Sequence, residues 1–265
     1  MTDRQYDIVI YGASGFTGRL VAEYMAATHG PAANWAMAGR NLEKLAAVRD
    51  EVGAPADTPI IEADASNLDS LNSMVKSAKC IITTVGPYQL YGSDLVAACA
   101  AEGTHYVDLS GEPGWMYEMI TAHSDAAKAS GARIVFSCGF DSIPFDLGVY
   151  FLQQAAIKQF GKPVSRVRGR VRAMAGEFSG GTAASLGATM QAVAKNPELI
   201  KVLGNPFSLT EGFQGPAQPV DTKPYEDEVV GSWVAPFIMA AINTKNVHRS
   251  NKLLGHLYGE DFEYD

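Results

Sequence analysis

Cysteine is scarce in this chain, with three in 265 residues and no Cys-x-x-Cys pair. Cys80, Cys99 and Cys138 each stand among apolar neighbours, and no histidine lies at metal-ligand spacing from them. This pattern argues for three reduced, buried thiols in a reducing compartment rather than for a metal or redox site. Positive charge is also in deficit. The 21 Lys and Arg against 29 Asp and Glu leave a formal charge of −8. Nucleic acid is therefore not an expected partner, because phosphate backbones select basic faces, although a local basic patch can still hold one small anion. Long apolar runs are missing as well. Val234 to Ile242, the most apolar late stretch, is far shorter than the roughly 20 residues of a membrane-spanning helix. The opening MTDRQYD is polar and has no apolar leader core. The expected location is the cytoplasm, with no transmembrane segment.

What is present is an ordinary globular balance, 47% hydrophobic and 19% charged, in a length that suits two modest domains or one large one. The first half alternates short apolar runs with amphipathic ones. Strands are expected at Tyr6 to Tyr11, Trp35 to Ala38, Thr58 to Glu62, Lys79 to Val85, His105 to Leu109 and Arg133 to Ser137. Between them helices are expected at Thr17 to Ala27, at Asn41 to Val52 with Asn41 as cap, from Ser66 as cap towards Lys76, from Ser93 as cap to Glu102, and at Tyr117 to Ser130. Such alternation implies a parallel sheet covered on both faces.

After Phe160 the pattern changes. Gly161, Lys162 and Pro163 break a helix, and Val164 to Met174 alternates as a one-sided strand does. Thr182 to Ala194 reads as a helix, and Asn205 to Pro224 as a loop rich in Pro, Gly and polar residues. Trp233 to Leu254 reads as one long helix with Pro236 in its first turn. The expected architecture is therefore α/β. A Rossmann-type doubly wound parallel sheet over residues 1–143 is followed by an α+β domain over 144–265.

The strongest motif is Gly12-Ala13-Ser14-Gly15-Phe16-Thr17-Gly18, which follows a strand and opens a helix. Its GxxGxxG spacing differs from GxGxxG, but the mechanics carry over. Gly12 permits the tight turn, Gly15 lets backbone approach a pyrophosphate, and Gly18 lets helix pack on sheet. Helix N-terminal N–H groups then face the phosphates. The second strand ends Ala38-Gly39-Arg40, without the carboxylate that would hold ribose hydroxyls. Arg40 in that place suits a 2′-phosphate, so NADP is expected over NAD. Asp64 either accepts from the adenine amine or serves as a loop carboxylate beside the helix start; both readings stand. At the carboxyl end of the fourth strand, Gly86 allows close backbone approach and Pro87 directs the chain, while Tyr88 and Tyr91 are candidates to wall the nicotinamide or touch substrate, or simply to pack.

Taken in order, YGASGFTG, AGR, TTVGPYQLYG, YVDLSGE and FSCGFDSIPFDLG resemble the saccharopine dehydrogenase-like oxidoreductases, and within them the trans-acting enoyl reductase branch. Ser179 to Thr182 and Val247 to Asn251 share the resemblance, so it spans the chain. It implies an NADP-binding Rossmann domain, an α+β substrate domain, and hydride transfer to a C=C bond of an enoyl, thioester-like substrate or to a C=N bond. It also implies that Gly12, Ser14, Gly15, Phe16 and Thr17 contact the pyrophosphate, that Arg40 meets the adenosine phosphate, and that Gly86 and Pro87 lie on the nicotinamide side. Proteins of this branch run longer, so a substrate domain truncated after Phe262-Glu263-Tyr264-Asp265 is expected.

Hydride transfer often needs a proton donor. The candidates are Tyr88, Tyr91, Ser110, Asp141 and Ser142, all near expected carboxyl ends of strands, with Asp141 or Ser142 also suited to cap the helix after Pro144. Asp108 and Glu112 flank the Ser110-Gly111 turn. Ser179 to Thr182 suits a carboxylate or thioester oxygen, or is a plain capped turn. Arg166, Arg168, Arg170 and Arg172 alternate, which points to a solvated sheet face, with a phosphopantetheine, coenzyme A or acidic-partner site as the sharper alternative. Two classes of function compete: an NADP-dependent reductase of a small-molecule or acyl-thioester substrate, with a saccharopine-type amino-acid dehydrogenase as its variant, and a non-catalytic NADP-binding partner that docks on a larger enzyme; a homodimer is a further expected assembly.

Overall fold

A computed structural model of the chain describes residues 4–175, 180–219 and 222–265. The chain divides into two compact units. The first comprises Met1–Ser110, Glu118–Cys138 and Gly181–Ala188, and the second Gly111–Tyr117, Gly139–Gly180 and Thr189–Asp265.

The first unit alternates β1 (Tyr6–Tyr11), α1 (Phe16–Thr28), β2 (Trp35–Gly39), α2 (Leu42–Glu51), β3 (Ile60–Glu62), α3 (Leu68–Ser77), β4 (Ala78–Thr83), α4 (Tyr88–Tyr91), α5 (Ser93–Glu102) and β5 (His105–Val107). It continues with α6 (Pro113–Ser130), whose first turn belongs to the second unit, and β6 (Ile134–Val135). All six strands run parallel in the order β3-β2-β1-β4-β5-β6. Central strands covered on both faces must be apolar throughout. Thus β2 is buried at all five positions, and Val9 and Ile10 of β1 are fully enclosed. One core cluster joins Ile10, Met37 and Trp35 of the sheet to Ala22 and Met25 of α1 and Leu45 of α2.

The caps explain where helices begin. Asn41 Oδ1 accepts from Lys44 N at 2.8 Å, as expected. The start of α3 differs from the expectation. Asn67, not Ser66, is the cap, its Oδ1 accepting from Ser70 N at 3.1 Å. Ser66 instead donates its N–H and hydroxyl to Asp64 Oδ1, both at 2.8 Å. Ser93 opens α5 rather than capping it, because Gly92 holds the cap position. Of the cysteines, Cys99 is buried, while Cys80 and Cys138 are half-buried; all three are free thiols.

The second unit contains α7 (Ile143–Phe160), β7 (Arg166–Val167), α8 (Gly180–Lys195, shared with the first unit), α9 (Leu199–Gly204), β8 (Tyr225–Asp227), β9 (Ser232–Val234), α10 (Ala240–Leu253) and β10 (Glu263–Tyr264). β10 pairs parallel with β7, and β8 antiparallel with β9. Val149, Val167, Val247, Tyr258, Phe262 and Tyr264 form its core. The buried Gln153 side chain clamps the α7–β7 connection, donating to Val164 O at 2.8 Å and accepting from Val164 N at 2.9 Å. No helix among the described residues is long and apolar enough to cross a membrane.

Two expectations fail here. The strand foreseen over Val164 to Met174 reduces to Arg166–Val167, because its partner β10 is only two residues long. Three of its four arginines, Arg166, Arg168 and Arg172, are exposed, and Arg170 is half-buried. Arg170 bonds to Asp227 Oδ2 at 3.0 Å, to Tyr225 and to Asp265, and Arg166 bonds to Asp265 Oδ1 at 3.0 Å. Arg170 thereby holds the Asp227 carboxyl below its usual range. The long helix foreseen over Trp233 to Leu254 is a strand and a shorter helix. Trp233 pairs with Glu226 in β8, and Pro236 lies in the irregular link before α10.

Candidate cofactor site

The loop between β1 and α1 hangs on the end of β2, since Gly12 N and Ala13 N both donate to Ala38 O, at 2.9 and 3.2 Å. Gly12 has φ +88°, and a Cβ there would stand 2.7 Å from Val85 Cγ2 and 2.8 Å from Thr84 Oγ1. Gly18 is needed for packing: a Cβ would fall 2.1 Å from Gly12 O. Gly15 differs from both. Its N–H closes the turn onto Gly12 O at 2.9 Å, its φ is an ordinary −83°, and it is exposed. A Cβ on Gly15 would meet only Gly12 O, at 3.3 Å.

The first-turn amides of α1, at Phe16, Thr17 and Gly18, have no acceptor within their own helix. No side chain caps them, and the first turn holds no acidic residue. By contrast, α2 and α3 each carry an Asn cap and an acidic residue in the first turn. Of these three helices, α1 is the one whose positive end is left for an external anion, as a pyrophosphate requires. Ser14 lies beside the end of β2, its Oγ 3.7 Å from where a Gly39 Cβ would stand.

Arg40 follows directly, exposed, with its charge felt at Asp64. Asp64 is held below the usual carboxylate range first by the Ser66 backbone and hydroxyl bonds, and less by Arg40. The loop-carboxylate reading of Asp64 is thus its observed role in the fold.

Across the sheet, β4 ends beside the same glycines. Thr84 N donates to Tyr11 O at 3.0 Å, and its hydroxyl donates to Gly12 O at 3.3 Å. Thr84 is a site residue that reading the sequence passed over, although it directly precedes the Val85-Gly86-Pro87 turn. Gly86 is exposed, Pro87 follows it through a cis peptide, and Tyr88 opens α4. The two tyrosines differ. Tyr88 is 4% exposed, and its hydroxyl donates to Thr83 O at 3.3 Å and accepts from Leu109 N at 3.4 Å, tying the β4 and β5 loops together. Tyr91 is 47% exposed. Asp108 is a buried hub, accepting from Ser110 N, Ser137 N and the Tyr106 hydroxyl at 2.8–2.9 Å.

In the second unit, Asp141 is half-buried, and that burial pushes its carboxyl up. Ser142 holds the cap position of α7, with Pro144 in the first turn, yet makes no capping bond. Of the foreseen Ser179 to Thr182 site, Ser179 lies outside the described residues, and the others open α8.

The strand order and the glycine turn at the β1/β4 reversal define a dinucleotide-binding α/β protein of Rossmann type. Residues 8–135 match the family model described as saccharopine dehydrogenase NADP binding domain. A Mycobacterium tuberculosis protein provisionally named as a trans-acting enoyl reductase is 43% identical over 272 residues, covering 99% of this chain. The trans-acting enoyl reductase of Mycobacterium leprae is 39% identical over 274 residues, covering 98% of the chain. In each case the chain spans 65% of the relative's length. Residues 8–135 are an NADP-binding domain of the saccharopine dehydrogenase type, and the chain as a whole is similar to the trans-acting enoyl reductases.

Proposed function

We propose that the chain is the NADPH-using part of a reductase that acts on the C=C bond of an enoyl thioester, or on a related C=N bond. The observation that carries this reading is the uncapped, acid-free N-terminus of α1 behind the exposed Gly15, with Arg40 at the end of β2. Gly12, Ser14, Gly15, Phe16 and Thr17 hold the pyrophosphate through backbone N–H groups. Arg40 pairs with the 2′-phosphate, and Asp64 borders the adenine while keeping its turn. Gly86 and Pro87 line the nicotinamide side. Bound NADPH supplies the hydride. The protein's own part is to orient substrate and provide a proton, for which Asp141 and Tyr91 are the candidates. Burial makes Asp141 retain its proton to higher pH than an exposed aspartate. Tyr88, with its hydroxyl held by backbone groups, shapes the loop rather than donating. The free thiols and the want of a membrane-crossing helix among the described residues support a cytoplasmic location.

Two measurements test this. NADPH should bind far more tightly than NADH, and Arg40→Ala should remove roughly 1–3 kcal/mol of that preference. Equal affinities in the parent chain would sink the cofactor assignment. An enoyl thioester should consume NADPH, and Asp141→Asn should slow turnover on the order of 100-fold or more. NADPH binding without turnover of any enoyl thioester or imine would favour the non-catalytic subunit. The exposed Leu147, Tyr150 and Phe151 on α7 would then be its docking face, for a larger enzyme or a second copy.

A further inference from the structure

The order β3-β2-β1-β4-β5-β6 divides the sheet at β1/β4 into two mononucleotide halves. On the cofactor reading above, Arg40 at the end of β2 gives the adenosine to the half β1–β3. The nicotinamide then falls to the loops that follow β4, β5 and β6. Connecting loops are the more mobile parts of a fold. Here two buried side chains tie all three loops together.

The first is Tyr88, whose hydroxyl links Thr83 O at the end of β4 to Leu109 N after β5, at 3.3 and 3.4 Å. The second is Asp108, 3% exposed. Its Oδ1 accepts from Ser110 N at 2.9 Å and from Ser137 N, after β6, at 2.8 Å. Its Oδ2 accepts from the Tyr106 hydroxyl at 2.8 Å. The backbone closes the same seam, with Cys138 N donating to Asp108 O at 2.7 Å. Asp108 and Leu109 are adjacent, so one continuous chain of bonds runs from β4 through β5 to β6.

Ser137 shows how firmly the seam is held. Its φ of +58° lies in the left-handed region, which glycine adopts freely and serine does not. It is 3% exposed, and its hydroxyl donates to Ser110 O at 2.6 Å. Glycine would be the unstrained residue for this backbone. The serine hydroxyl adds a second tie between the β5 and β6 loops. Backbone held in such a region by its surroundings clusters at ligand clamps and active sites. Gly86 and Leu109, on either side of the Tyr88 tie, are exposed. A fixed wall there has chemical value, because a misplacement of about 1 Å in hydride transfer costs on the order of 100-fold in rate.

We propose that Asp108 is a positioning residue for the nicotinamide half of the cofactor, fixing the loops after β4, β5 and β6 as one wall through Ser110, Ser137 and the Tyr88-bound Leu109. The proposal rests on the cofactor reading and goes beyond it, by giving a role to a carboxylate buried behind the crevice.

The test titrates NADPH and 2′,5′-ADP, which carries the adenosine half alone, against the full chain and two variants. Asp108→Asn keeps one acceptor oxygen but turns the other into a donor facing Tyr106 and removes the charge. Ser137→Gly deletes the tie to Ser110 O while relieving the left-handed backbone. Its melting temperature should therefore stay near the parent's, which keeps the test decisive if Asp108→Asn does not fold. Each variant should bind NADPH at least about fivefold more weakly, and 2′,5′-ADP within about twofold of the parent. The emission of bound NADPH should move towards that of free NADPH. A merely structural role would weaken both ligands together. Unchanged NADPH affinity in either folded variant, or an equal loss of 2′,5′-ADP, would overturn the proposal and leave the cofactor reading standing. A parent chain that binds neither ligand would take down the cofactor reading and the proposal with it.

Discussion

At the scale of single residues, the three motif glycines are not interchangeable. Gly18 is required by packing, since any side chain begins 2.1 Å from a backbone oxygen. Gly15 is not required by the fold, because its backbone is ordinary and its surroundings are nearly open. Gly18→Val should therefore cost about 1–3 kcal/mol or more of stability through overpacking, read as a fall in urea midpoint. Gly15→Val should stay within about 1 kcal/mol of the parent, as expected for a cap position, yet lose NADPH binding. Undiminished NADPH affinity in folded Gly15→Val would remove the pyrophosphate from this loop. The roles of Gly12 and Gly18 could be read from the order strand, glycine turn, helix. That of Thr84 could not, because its contact with Gly12 joins residues 72 positions apart.

At the scale of elements, the helices of the first unit are set by local chemistry, and small errors trace to competition between neighbours. Ser66 and Asn67 are both good caps. Asp64 captures Ser66 in a tight turn, and Asn67 is left to cap α3. Asn67→Ala should accordingly destabilise by about 1 kcal/mol, and Ser66→Ala by less. Thermal or urea unfolding of the two variants would check the order, and a larger loss in Ser66→Ala would restore the other cap. In the second unit local chemistry decides less. Trp233 and Val234 suit a helix turn or a strand, and their antiparallel pairing with Glu226 and Tyr225 settles the matter. Pairing of that kind leaves no period in the sequence.

At the scale of the whole molecule, buried ionisable groups couple folding to pH. His248 is 3% exposed, stacks 4.4 Å from Phe207, and is lowered to about 4, first by burial and then by the Lys245 charge. Its folded pKa lies below the ordinary value of about 6.5, so between those values the unfolded chain binds a proton that the folded chain does not. Stability from this group is thus present above about pH 6.5 and is lost as the pH falls towards 4, by roughly 3 kcal/mol in all. Urea unfolding across that window should show the loss, and His248→Phe should flatten it. An equally steep loss in His248→Phe would place the titrating group elsewhere.

The sequence by itself determined the parallel sheet, the glycine turn between β1 and α1, and the expectation of NADP. Those follow from contiguous patterns: apolar strands buried on both faces, glycines at a strand–helix turn, and an arginine where a carboxylate would otherwise stand. Only the tertiary structure decided that Tyr88 is a latch, that Arg170 ends on Asp227 and Asp265, and that Asn243 reaches the Asp141 carbonyl. The reason is physical. A turn or a strand is specified by neighbours along the chain, whereas the partners of Arg170 and Asn243 are supplied by elements 57 and 102 residues away. Burial and pairing, which set each side chain's role, exist only after those elements have packed.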